Sequence, residues 1–137
     1  MSGAHVRFRV GSENYALPVA QVLEVADLGQ LAPVPGSPPA VLGVRNLRGQ
    51  VLPVIDLATV LGTGRDGPAE KLVITEEAGR RAGLAIDEVT DVGELGGPVQ
   101  ETDSPFLSGS MLVEGELVGI VDVAGVFAAV ERGVEAA

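Results

Sequence analysis

The chain has 137 residues, no cysteine, 46% hydrophobic residues and a formal net charge of −10. That length makes one domain, or two small subdomains sharing a core, and the missing cysteines exclude disulfides and thiol chemistry. The acidic balance argues against nucleic acid and anionic lipid, both of which would repel it.

The charge is unevenly placed. Residues 1–68 carry five arginines and five acids, whereas 69–137 carry four basic groups and fourteen acids. The neutral first half is the better place to seek an uncharged protein contact. Only Phe8, Tyr15, Phe106 and Phe127 are aromatic, so the core must be mostly Val, Leu and Ile, a composition that leans toward strands. Met1–His5 has neither the basic nor the apolar region of a signal peptide. The longest nearly apolar stretch, Leu117–Val130, is broken by Asp122 and is shorter than the about 20 residues a membrane-spanning helix needs.

In chain order, strands are predicted near 6–10, 14–19, 22–27, 41–47 and 50–55, then a short helix near 57–61. His5 precedes the first strand in a terminus expected to fray, while Tyr15, Leu17 and Val19 are expected to pack the core. Pro33–Pro39 reads as a rigid extended loop, because its four prolines fix φ and remove four donors. Its P-x-x-P spacing, Pro35 to Pro38, is read as part of that loop rather than as a ligand for an aromatic groove. Arg48-Gly49 reads as a hairpin turn in which Gly49 supplies the positive φ. Val51, Leu52, Val54 and Ile55 read as a strand buried on both faces, with Pro53 confining it to an edge or a bulge, and Asp56 as the cap of the following helix. Gly62–Gly67 fits G-x-G-x-x-G, but it follows a helix and precedes Pro68 and a strand. A phosphate-binding turn needs the reverse context, so the segment is read as a linker.

After the linker, strands are predicted near 71–76, 81–87, 89–94, 106–113 and 117–121, then a helix near 123–132. Gly49 to Leu61 lines up with Gly115 to Phe127, each a turn glycine, an apolar strand, an aspartate and a short apolar helix. Leu17, Val19, Val22, Val25 and Leu28 likewise match Leu84, Ile86, Val89, Val92 and Leu95. An internal repeat, 6–61 and 72–127, is therefore expected. Many short strands with glycine turns suggest barrels rather than a parallel sheet.

No cofactor or metal site is expected. Asp87, Glu88, Asp91 and Glu94 lack the D-x-D-x-D-G spacing of a calcium loop and alternate with apolar residues, as on the wet face of strands. His5 is the sole histidine, with no cysteine to share a metal, and no Ser–His pair can be built. Acid–base catalysis would rest on carboxylates or Tyr15 without a recognisable frame.

The segment Gly43-Val44-Arg45-Asn46-Leu47-Arg48-Gly49-Gln50-Val51-Leu52-Pro53-Val54-Ile55-Asp56-Leu57 resembles the signature of the CheW family of bacterial chemotaxis coupling proteins. Phe8, Gly11, Tyr15–Val19 and Val22–Val25 look like the family's first strands, and Gly83–Val89 and Phe106–Gly109 like its later ones, so the likeness covers about residues 6 to 128. The resemblance implies a mainly β fold: one domain over 1–137, built of two five-stranded SH3-like β-barrels packed together, with short helices including one at the C-terminus. It implies a cytoplasmic, non-enzymatic adaptor, with no nucleic acid partner and no membrane insertion. Its partners would be the cytoplasmic tip of a chemoreceptor (a methyl-accepting chemotaxis protein) and the regulatory domain of a CheA-type histidine kinase. The implied partner-binding residues are Val22, Glu24, Asn46, Arg48 and Gly49. Val22 and Glu24 match a V-x-E of the family's coupling region, where the imperfect alternation of the strand favours Val22 as an exposed apolar residue, and Arg48 is either a partner contact or a brace that shapes the surface. Ala58 stands where the family often carries Arg. Alternatives are a variant that binds receptor without coupling to kinase, or a small ligand-binding β-barrel.

Overall fold

A computed structural model of the chain describes residues 3–64 and 67–132. Arg65 and Asp66 of the expected linker lie outside the described residues. The first unit holds β1 (Ala4–Val10), β2 (Glu13–Pro18), β3 (Val22–Asp27), β4 (Val41–Leu47), β5 (Gln50–Asp56) and α1 (Leu57–Leu61). The second holds β6 (Lys71–Glu77), β7 (Arg80–Ile86), β8 (Glu88–Glu94), β9 (Leu107–Val113), β10 (Glu116–Val121) and α2 (Val123–Glu131). The prediction missed a single 3-10 turn, Val19–Gln21, in which Val19 is exposed rather than packed.

Two five-stranded sheets result, ordered β8-β1-β2-β10-β9 and β3-β6-β7-β5-β4. Neither corresponds to one half of the sequence. β2 runs parallel to β10 through Asn14–Ala16 and Val118–Ile120, and β5 runs parallel to β7 through Val54–Asp56 and Gly83–Ala85. Each half thus lends two strands to the sheet of the other, β1 and β2 to the first sheet and β6 and β7 to the second.

Most strands bury both faces, which explains apolar runs where alternation would otherwise appear. One face of each sheet encloses a small core of its own. Met111, Val118, Ile120, Ala16 and Leu95 fill the first, while Leu52, Val54, Leu72, Ile74, Ala69 and Ala85 fill the second. The other faces meet in a shared central core with Phe8, Val10 and Leu17 from one sheet and Ile55, Val73, Leu84 and Ile86 from the other. Leu57, Ala58 and Val60 of α1 and Val126, Phe127 and Val130 of α2 complete it. His5 is not frayed: it lies within β1, is 8% exposed, and its Nδ1 is 2.7 Å from the carbonyl oxygen of Gly3.

Both sheets curl by the same device. The segment after β3 bridges to the far edge strand through Ala32 and Val44, which exchange N–H···O bonds of 2.9 and 2.8 Å. After β8, Gln100 and Ser110 do the same at 2.7 and 2.9 Å. The crossing leaves no room for a side chain beneath it. A Cβ on Gly43 would lie 2.5 Å from the Ala32 carbonyl oxygen, and one on Gly109 would lie 2.4 Å from Val99 Cγ1. The amides of Asp56 and Asp122 are likewise bound by the carbonyls of Ala40 and Phe106 at 2.7 and 2.8 Å. Gly43 and Gly109 stand at the same offset as Gly49 and Gly115, or Asp56 and Asp122.

Three hairpins turn on two residues that both have positive φ, the type I′ geometry that matches strand twist. They are Arg48-Gly49 (52° and 86°), Ala78-Gly79 (53° and 79°) and Glu114-Gly115 (50° and 82°). The sequence assigns the positive φ to Gly49 alone, but Arg48 shares it. Its Cβ sits in the left-handed region, which costs an L-residue roughly 1–2 kcal/mol. Asn tolerates that region better than Ala. Ala78 is exposed, so Ala78→Asn should raise stability by about 0.5 kcal/mol, measured as a higher urea midpoint at unchanged slope.

Candidate functional site

The β4–β5 hairpin ends in a fixed tip. Leu47 and Gln50 close the ladder, and the Gly49 N–H donates to Asn46 Oδ1 at 2.9 Å, so Asn46 and Gly49 act together to hold the turn. Arg48 Nη2 donates to Glu24 Oε1 on β3, forming an ion pair in which the two side chains are 69% and 33% exposed. β3 and β4 are the two edges of the second sheet. The pair therefore spans the open end of that sheet's interior, above a cleft lined by Leu23, Leu47, Leu52, Ile74, Gln50 and Arg81. Arg81 is held across the same opening by Glu76 at 3.0 Å and Gln50 Oε1 at 3.2 Å. An exposed ion pair contributes only about 0–1 kcal/mol to stability, so holding the fold together does not explain this arrangement.

Four of the five expected residues, Glu24, Asn46, Arg48 and Gly49, thus gather at one end of the second sheet. Val22 differs. It is half-buried and packs against the central core, which corrects the expectation of an exposed apolar residue there. Burial alternates without a break along β3, so Val22 shares the inner face with Glu24 and Ala26, although the β3–β6 ladder shifts its pairing between Val22 and Glu24. Leu23 and Val25 are the exposed ones, at 47% and 42%. Thr75 Oγ1 donates to the Gln21 carbonyl at 2.7 Å and pins the start of this strand. On the hairpin, Val51 is 60% exposed opposite Asn46, so it is not buried as the sequence suggested. Pro53 is tolerated in a strand with neighbours on both sides because pairing with β7 begins only at Val54.

A second opening was not anticipated. Where β4, β5 and β7 meet α2, Val41, Pro53, Ile55, Ala82, Phe127 and Val130 line an apolar cleft of about 140 Å³. Arg80, Arg81 and Glu131 form its rim. Each apolar residue reads as ordinary core in the sequence, and only the junction of strands with helix opens the space.

The titratable groups are arranged as surface pairs. Lys71 donates to Asp27 at 2.6 Å, and that hydrogen bond holds the Asp27 carboxyl below the usual carboxylate range and the Lys71 amine above its own. Burial, then the charge of Glu13, pushes the Tyr15 phenol up to about 12, so it stays protonated at neutral pH. Arg9 pairs with Glu88 at 3.1 Å, and Asp87 accepts the Gly11 N–H at 2.8 Å. Asp56 stands at the N-cap of α1 but, contrary to the expectation, makes no side-chain bond to the helix N–H groups; its Oδ2 accepts from Thr59 Oγ1 at 2.8 Å, whereas Asp122 accepts the Gly125 N–H of α2 at 3.1 Å. Among the described residues no three His, Asp or Glu side chains converge as metal ligands, and no helix is long and apolar enough to cross a membrane.

A rigid sheet end presenting apolar side chains around a polar brace is the geometry of a protein-binding module. Comparison with known proteins identifies which one. The model of the CheW-like domain matches residues 4–131. The chemotaxis protein CheW of Rhizobium meliloti is 30% identical, covering 93% of this chain and 88% of its own. Protein FrzA of Myxococcus xanthus is 37% identical over 86% of this chain and 73% of its own. The crystal structure of the scaffolding protein TtCheW from Thermoanaerobacter tengcongensis superposes with a TM-score of 0.82 at 29% identity, covering 93% of this chain and 88% of that one. The chain belongs to the CheW family of chemotaxis coupling adaptors.

Proposed function

We propose that this chain works in the cytoplasm as a non-catalytic adaptor that bridges a chemoreceptor's cytoplasmic tip and the regulatory domain of a CheA-type kinase. The observation that carries the reading is the Glu24–Arg48 bridge across the open end of the second sheet, beside a cleft that Leu23 also lines, with Val25 exposed on the same strand as Glu24 and Val51 on the same hairpin as Arg48. An apolar patch set around a fixed polar pair suits a partner sheet of similar shape, with the pair giving register and the patch giving affinity. This end is assigned to the kinase regulatory domain, with Glu24, Asn46, Arg48 and Gly49 in direct support and Val22 backing the strand from the core side. The apolar cleft between the second sheet and α2 is assigned to a receptor helix, which would bury one apolar ridge there. Interfaces near the lower end of about 1,200–2,000 Å² fit such contacts, and micromolar affinity, about 8 kcal/mol, suffices where an array supplies multivalency. The internal repeat, 6–61 and 72–127, is proposed as the origin of the two similar sheets.

Titrating receptor fragment and kinase regulatory domain separately against variants tests the assignment. Arg48→Ala should weaken kinase-domain binding at least tenfold, about 1.4 kcal/mol, with a stability change below about 1 kcal/mol. Arg48→Lys should recover part of the affinity, because an ammonium cannot reproduce the planar fork of donors. Unchanged affinity for both partners would remove Arg48 from the site. Receptor binding with no kinase binding in the unaltered protein would favour a variant adaptor that engages receptor without coupling.

A further inference from the structure

The rim of the cleft beside α2 carries a latch. Arg80 on β7 lies with its guanidinium carbon 5.5 Å from the centre of the Phe127 ring and forms an ion pair with Glu131, the last residue of α2. The two side chains are 57% and 54% exposed, so the pair is held weakly and exchanges partners at little cost. Glu131 is also badly placed for its own helix, since an acid at a helix C-terminus opposes the dipole. Its position is explained by Arg80 rather than by α2. The charge here is opposite to that of the molecule, whose net charge is −10. Two arginines and one acid border an apolar floor, and Arg81 is already held by Glu76 and Gln50.

We propose that Arg80 is the specificity-determining residue of this cleft. A partner helix seats an apolar side chain over Phe127, and a carboxylate about one turn away on that helix takes Arg80 from Glu131. Docking removes water from the guanidinium, which makes an unpaired Arg80 costly and a charge-assisted, bidentate partner correspondingly favourable. Residues three or four apart on a helix share a face, so one helix can present both groups. The inference rests on the assignment of this cleft to the receptor and adds the chemistry by which a receptor is chosen.

The test is calorimetric titration of the tip fragment of a chemoreceptor from the same cell. Glu131→Gln should tighten binding about fivefold, because Arg80 is released, and should not lower the melting temperature. Arg80→Ala should weaken binding tenfold or more, and Arg80→Lys should restore part of it. In the Arg80→Ala background Glu131→Gln should have no effect, a coupling that a general charge effect would not produce. Raising salt should shrink the gain. Equal or weaker binding by Glu131→Gln, or a gain that persists without Arg80, overturns the latch. Failure of the unaltered protein to bind the fragment overturns the receptor assignment itself, and is seen before any variant is compared.

Discussion

Leu84→Ala is expected to lower stability by about 3 kcal/mol, a drop of roughly 10 °C in melting temperature. Leu84 is fully buried in β7 and belongs to the central core, where both sheets and both helices meet. Truncation removes the transfer free energy of its side chain and leaves a cavity. Both sheets and both helices contribute to that core, so its parts cannot all relax into the space. Because the core is shared, the unfolding transition should shift as one step, with an unchanged denaturant slope. A loss below about 1 kcal/mol, or two separated transitions, would show that the sheets fold as independent units.

Gly125→Ala should cost a similar amount, about 3 kcal/mol, for the opposite reason. Gly125 lies in the first turn of α2, and a Cβ there would stand 2.0 Å from the Pro105 carbonyl oxygen. That neighbour is backbone, so relief requires moving either the helix or the segment leading into β9. Moving the helix breaks the bond from Gly125 N–H to Asp122 and withdraws Val126 and Phe127 from the central core. Gly93→Ala is the control, since a Cβ at Gly93 meets nothing within 4 Å; its effect should stay within about 0.5 kcal/mol. Equal melting of the two variants would mean that α2 does not pack against Pro105 as described.

The strands were legible because Val-rich runs and glycine turns punctuate the chain at short intervals. The Gly-to-Asp spacing that pairs Gly49–Asp56 with Gly115–Asp122 corresponds to the same strand-to-helix step in both places. Strand exchange was not legible: nothing local to β5 or β10 says that its parallel neighbour lies in the other half. Within the site, the hairpin motif placed Asn46, Arg48 and Gly49 correctly at a tip. The Glu24–Arg48 pair depends on two sheet edges curling toward each other, a tertiary fact invisible to spacing. Val22 was misread because β3 carries apolar residues on both faces, Val22 and Ala26 inward with Glu24, and Leu23 and Val25 outward, so hydrophobicity alone does not tell one face from the other. Val51 was misread as buried because an apolar residue on a paired strand ordinarily is. Here it lies near the tip, beyond the reach of the core.

The most direct measurement of the adaptor account is assembly of three components: a receptor cytoplasmic fragment, the kinase regulatory domain and this chain, followed by sedimentation. The account predicts that the kinase domain sediments with receptor only when this chain is present. Arg48→Ala should release the kinase domain while leaving this chain on the receptor, and Arg80→Ala should release both. Sedimentation of the kinase domain regardless of this chain, or failure of this chain to sediment with receptor at all, would contradict it.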